Sequence, residues 1–227
     1  MSATGTDRIM HDIAAVGELT RLAAERYDGV YVSLRAAMME ALSQAADLGD
    51  GARAVMDMAD AAAGAIMEHY PNQPVRACRA GCDACCHLHV MIPPGIAEAI
   101  AAYLTERLEP EALLTLRGEL RKAADAAAGL ADPSALVHRC PLLGADGLCT
   151  IYDVRPLTCR AFTSRSAAAC RSMVFDPESA VTTITQNPAQ FRVYVEATGA
   201  LEQAARLRGL SAQQKGLSAA LLELLPD

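Results

Sequence analysis

Between Asp7 and Tyr70 the chain contains no proline, and its apolar residues recur every three or four positions. Ile9, Ile13, Val16, Leu19 and Leu22 form one stripe, Val30, Leu34, Met38, Ala41, Ala45 and Leu48 a second, and Val55, Met58, Ala62 and Ile66 a third. That spacing follows the 3.6-residue turn and predicts amphipathic helices, each with one face turned to a core. Gly49-Asp50-Gly51, after the second stripe, reads as a helix stop and turn. Pro71-Asn72-Gln73-Pro74 closes the helical region, because proline lacks an amide donor and disfavours helix in the residue before it.

Residues 75–93 break the period. His87-Leu88-His89-Val90-Met91-Ile92 alternates instead, which predicts a short strand or extended segment ahead of Pro93-Pro94. Helical patterns return over residues 95–108 and 110–130, and again over 188–207 and 211–225. Residues 138–172 are rich in turn formers, and Gly144-Ala145-Asp146-Gly147 is placed to reverse the chain between Leu143 and Leu148. The pattern predicts a mainly α protein with a loop-rich cysteine and metal core and at most short β segments. The core would span residues 75–175, between an N-terminal helical region (1–74) and C-terminal helices (176–227) packed on it.

Composition removes several classes of function. Net charge is −7 with acids and bases interleaved, there is no basic run and no tryptophan, and aromatics make up 4 % of the 227 residues. A nucleic-acid footprint needs a basic surface and, for single strands, stacking rings, so neither nucleic acid nor an anionic membrane is an expected partner. Charged residues interrupt every apolar stretch that could span a bilayer. The opening residues, MSATGTDRIMHDIAAVGEL, carry early acids and no unbroken apolar run, so no export signal is expected and a cytoplasmic location is.

Cysteine changes the picture most. Eight are present, and Cys78, Cys82, Cys85 and Cys86 fall within the nine residues CRAGCDACC. Cys140, Cys149, Cys159 and Cys170 follow after a gap of 53 residues, spaced nine, ten and eleven apart. A reducing compartment disfavours structural disulfides, so a cytoplasmic chain this rich in clustered thiols points to metal binding or redox chemistry. Thiolate is a soft ligand that suits zinc and iron–sulfur clusters, each commonly held by four such donors. Cys82 and Cys85 have the spacing of a metal knuckle. Adjacent Cys85 and Cys86 diverge too much for one tetrahedral ion and suit two metals or one multinuclear cluster. The C-x3-C-x2-C spacing is also that of radical S-adenosylmethionine enzymes, but a helical segment stands where the first strand of their barrel would be.

A tetrathiolate site is anionic, so cations close to it stabilise it. Arg155 and Arg160 bracket Cys159, and Arg155-Pro156 is placed to fix a turn that aims guanidinium and thiol inward. His87 follows Cys86 directly and is the foremost imidazole for ligation or for a hydrogen bond to sulfur, ahead of His89 and His138. The methionines at helical spacing read as core packing. No Ser-His-Asp order, phosphate loop or HExxH is present, and the sequence assigns no catalytic residue.

CRAGCDACC followed by CPLLGADGLCTIYDVRPLTCRAF resembles the cysteine-cluster family named for its CxxCxxCC signature and described as a putative zinc- or iron-chelating family. The resemblance covers about residues 78–170 and joins, in order, the clustered cysteines, a Cys-Pro-Leu, a Gly-x-Cys-x-Ile-Tyr and an Arg-Pro-x-x-Cys-Arg. The first spacer holds three residues where the name implies two. By this resemblance Cys78, Cys82, Cys85, Cys86, Cys140, Cys149 and Cys159 are the expected chelators, with Cys170 as an eighth. Part of the pattern is similar to flagellin lysine N-methylases, which implies an iron–sulfur centre and S-adenosylmethionine. The expected function is metal binding with a redox or metal-handling role, the metal being an iron–sulfur cluster. One or two zinc ions in a module that binds a partner protein, and an N-methylase-like enzyme, are the alternatives.

Overall fold

The computed structural model describes residues 5–226 and is mainly helical. Helix α1 (Gly5–Gln44) merges the first apolar stripe and the second as far as Ala41 into one rod, and α2 (Leu48–His69) starts at Leu48, the end of the second stripe, and carries the third. The expected stop at Gly49-Asp50-Gly51 is instead the first turn of α2. Asp47 is the N-cap, and its carboxylate accepts the Asp50 N–H (2.9 Å). The two glycines act as spacers. A Cβ on Gly51 would lie 2.8 Å from Leu42 Cδ2, and one on Gly49 2.8 Å from Glu98 Cβ. They let α2 fold back tightly on α1 and on the helix that begins at Ile96.

Next come a 3-10 turn at Ala84–His87, the strand β1 (Met91–Ile92), α3 (Ile96–Arg107) and α4 (Pro110–Ala128). The expected strand over 87–92 is thus realised only at its end, because the amides of Cys86 and Leu88 turn back onto the carbonyls of Asp83 and Cys85. Two further 3-10 turns (Pro133–Ala135, Tyr152–Val154) and the short helices α5 (Leu157–Ala161) and α6 (Ala167–Phe175) carry the second cysteine segment. α7 (Pro188–Leu207) has the bounds that its apolar pattern predicts. The last pattern, 211–225, yields β2 (Lys215–Gly216) and then α8 (Leu217–Leu224), since its start pairs antiparallel with β1, Met91 opposite Gly216 and Ile92 opposite Lys215.

The core lies where α2, α3, α7 and the second half of α1 meet, with α8 bridging α3 and α4. Met38, Leu42, Met56, Ile96, Ile100, Leu157, Leu201 and Leu221 are fully buried. Each such side chain contributes roughly 1.5–3 kcal/mol through removal from water. Buried alanines at 197, 200, 204 and 205 on α7 let the helices approach closely. Arg35 ties α1 to α7 through the Gly199 carbonyl and Gln203 Oε1, both at 3.0 Å.

Gly95 controls how α3 enters this core. Its φ is +88°, and a Cβ there would sit 2.6 Å from the Leu48 carbonyl oxygen. Alanine would meet both a disfavoured backbone well and a backbone atom that cannot rotate away. Gly95→Ala is expected to destabilise the fold by about 2–3 kcal/mol, read as a lower urea midpoint at unchanged slope. A midpoint equal to wild type would mean that the α2–α3 junction is not this tight.

Candidate metal centre

The two cysteine segments are stitched together by backbone hydrogen bonds. Cys140 N–H donates to the Cys86 carbonyl (2.8 Å), His138 N–H to the His87 carbonyl (2.9 Å) and Ala77 N–H to the Ser164 carbonyl (2.8 Å). The expected reversal at 144–147 is present. Gly147 N–H donates to Gly144 O, Gly144 N–H to Leu148 O, and Leu143 bridges Cys149. This turn swings Cys149 back beside Cys140. Leu157, fully buried against the core, anchors α5 and with it Cys159.

Sequence separations of up to 92 residues therefore collapse onto one cavity of about 400 Å³, whose wall includes Cys78, Cys82, Cys85, Cys86, Cys149 and Cys170. All eight cysteines are free, Cys170, on α6, being buried and the other seven partly buried. The thiols form two neighbourhoods that share Cys85. Around Arg155 stand Cys85, Cys86, Cys149 and Cys159, with Cys140 close to Cys159, Cys85 and Cys149. Cys82 has Cys78, Cys85 and Cys170 as its neighbours.

Several sulfurs already receive amide hydrogens. Ser164 N–H donates to Cys78 Sγ (3.3 Å). The amides of Ala84 and Leu142 lie against the sulfurs of Cys82 and Cys140, each two residues on along the chain. Such N–H···S contacts favour the thiolate form. Without metal, other effects win. Burial pushes the Cys159 thiol up to about 12, with Arg155 opposing and Cys140, Cys85 and Cys149 adding to the rise. Burial and then neighbouring thiols raise Cys82 and Cys140 too, and Cys85 is raised by its hydrogen bond with Cys86 and then by burial. The raised pKa values keep Cys82, Cys85, Cys140 and Cys159 protonated, and a metal that binds them must displace those protons.

The arginines divide. Arg155 reaches the Cys159 carbonyl with Nη2 and lies among the thiols. Burial works against its charge, but Cys159, Cys85, Cys86 and Cys149 overcome this and hold its pKa above the ordinary value. Arg160 also borders the cavity, but its guanidinium is bound to Asp60 of α2 and to the Asp153 carbonyl (2.8 Å), and Asp60 accepts from the Tyr194 hydroxyl (2.9 Å). It fastens the cysteine loops to α2 and α7. His87 packs edge-on to Phe175 with ring centroids 4.9 Å apart, its Nδ1 3.2 Å from the Asp83 carbonyl, and it is not part of the cavity wall. His89 and His138 line a separate small cavity of about 40 Å³ with Cys140. Sequence reasoning missed Ser164 and Asp60, which act from outside the cysteine motifs.

The donor set suits a thiophilic metal, being thiol sulfur backed by amide hydrogens and one enclosed cation. Among the described residues no three His, Cys, Asp or Glu side chains stand together as a finished site. Six of the thiols share the cavity without converging on a point, and Cys140 and Cys159 lie outside its wall. Residues 77–187, which contain all eight cysteines, match the family model CxxCxxCC, described as "Putative zinc- or iron-chelating domain". No curated protein and no solved structure matches the chain. The family match supports metal binding by the cysteine region. Among the described residues no helix is long and apolar enough to cross a membrane.

Proposed function

We propose that the protein binds an iron–sulfur cluster between the 78–86 segment and the loops from 140 to 170 and uses it for electron transfer or metal handling. The observation that carries this reading is the grouping of Cys85, Cys86, Cys149 and Cys159 around Arg155, with Cys140 as a fifth thiol beside Cys159, Cys85 and Cys149. That is more thiols than one tetrahedral ion takes, and three of them, Cys85, Cys86 and Cys149, border the cavity. A bound cluster supplies reversible one-electron chemistry at these thiolates. Arg155 offsets the negative charge of the ligated sulfurs, and the amides of Ser164, Ala84 and Leu142 hold Cys78, Cys82 and Cys140 in orientation. On this reading residues 75–175 are the ligand-bearing unit, wrapped by the helices of 1–74 and 176–227, and the free thiols belong to a reducing, cytoplasmic setting.

The test is elemental analysis of anaerobically purified protein, with an absorption spectrum of the same sample. About four iron and four acid-labile sulfide per chain, with a broad visible band that bleaches in air, is the expected result. One or two zinc without sulfide would overturn the cluster and leave a structural zinc module. Absence of both metals after anaerobic purification and reconstitution would overturn metal binding itself.

A further inference from the structure

The first half of α1 stands away from the rest of the molecule. Every residue from 9 to 30 is exposed, and only at the base do contacts begin, with Tyr27 against Tyr70 (ring centroids 4.7 Å) and Asp28 paired with Arg192. Yet this free helix is amphipathic. Ile9, Ile13 and Val16 are 60–61 % exposed and Leu19 67 %, and with Ala23 and Tyr27 they occupy one stripe. The opposite face is self-satisfied, Arg21 being paired with both Glu18 and Glu25. An isolated helix of this length is marginal in water, and an apolar stripe along it gains its stability from a partner surface.

We propose that the stripe pairs with the same stripe of a second copy, as an antiparallel two-helix interface that makes the protein a dimer. The order of residues supports this occupant and this direction. With Leu19 set opposite Leu19 of the second copy, Ile9 meets Tyr27, Ile13 meets Ala23 and Val16 meets Thr20, each pair occurring twice by two-fold symmetry. On one flank Asp12 then faces Arg26 of the second copy, and on the other Gly17 faces Gly17 and allows close approach. A parallel pair would put Asp12 beside Gly17, and Arg26 beside Tyr31, which is buried in the body of the protein. It therefore makes no such charge pair.

Size and charge point the same way. The 18 residues from Ile9 to Arg26 extend about 27 Å, and eight large apolar side chains between Ile9 and Val30 are 40–67 % exposed. Covering them removes on the order of 700–800 Å² per copy, close to a standard stable interface. Residues 9–30 carry Asp12, Glu18, Glu25 and Asp28 against Arg21 and Arg26. That acidic balance disfavours an anionic lipid surface as the occupant.

The test is the mass of the full chain in solution by sedimentation equilibrium. Wild type is expected at twice the 23.9 kDa chain mass. Val16→Asp is expected at the single-chain mass, with unchanged metal content and an unchanged unfolding transition for the body, which Val16 does not touch. D12R and R26D should each weaken dimerisation several-fold to tenfold, and the D12R/R26D double variant should recover to within about threefold of wild type, since it restores opposite charges. Three results overturn the proposal: a wild-type monomer at about 100 µM with α1 still helical, a Val16→Asp dimer, or a double variant no tighter than the single ones.

Discussion

Cys159→Ser is expected to strip the larger thiol neighbourhood of its metal and lower the melting temperature of the loaded protein to that of the metal-free chain. Cys159 sits on α5, which Leu157 pins to the core, so its sulfur cannot be replaced by one from a mobile loop. Its neighbours Cys140, Cys85 and Cys149 come from both cysteine segments, so this sulfur completes the closure between them. Serine offers a hard, weakly acidic oxygen where a soft thiolate is needed. Structural thiolate sites are worth roughly 10–16 kcal/mol of apparent folding free energy. In the metal-free chain the same exchange buries one hydroxyl for one thiol and costs on the order of 1–3 kcal/mol. Wild type and variant should therefore differ widely when loaded and little after chelation, by calorimetry and metal analysis on each. A variant with full metal content and the wild-type loaded melting temperature would remove Cys159 from the ligand set.

Much of this arrangement is legible in the residues themselves. The 3.6-residue period marks α3, α4 and α7 closely, because each buries one face and carries its own boundary proline or glycine. The reversal at 144–147 is equally local, set by Gly147 at φ +76° and by Asp146 accepting the Leu148 N–H (3.0 Å). Gly49-Asp50-Gly51 misleads because a packing spacer and a turn are spelled with the same residues. The cue that separates them is Asp47, a cap one position ahead of the helix. For His87 the local cue and the fold diverge in another way. Its nearness to Cys86 in sequence does not survive the 3-10 turn, which places its ring against Phe175 on α6.

Pairings across the fold are the part that no local pattern carries. Arg160 and Arg155 have equal standing beside Cys159 in sequence, yet one is bound by Asp60, 100 residues away, and the other is left among the thiols. Ser164 N–H reaches Cys78 across 86 positions. The gathering of the thiols is legible as chemistry, from their density, but their division into neighbourhoods depends on the hydrogen bonds that join residues 86–87 to 138–140.

That division of labour between the two arginines leads to the other large expected effect. Arg155→Gln is expected to weaken metal retention by about 100-fold or more while leaving the metal-free chain nearly as stable as wild type. In the metal-free chain the raised thiols of Cys85 and Cys159 are neutral, and the guanidinium contributes chiefly its hydrogen bond to the Cys159 carbonyl, which a glutamine amide can still supply. On loading, the surrounding sulfurs become anionic, and an enclosed charge deprived of its counter-charge costs about 3–5 kcal/mol. The penalty falls on the loaded state, so it appears as lost affinity. Arg155→Lys keeps the charge but not the planar fork, and is expected to recover part of it. Competition against a chelator of known affinity, run with urea unfolding of the metal-free forms, separates the two states. If glutamine and lysine lose affinity equally, Arg155 acts through shape and not through charge. If glutamine instead unfolds the metal-free chain, Arg155 is a structural strut like Arg160, and the charge of the thiolates must be offset elsewhere.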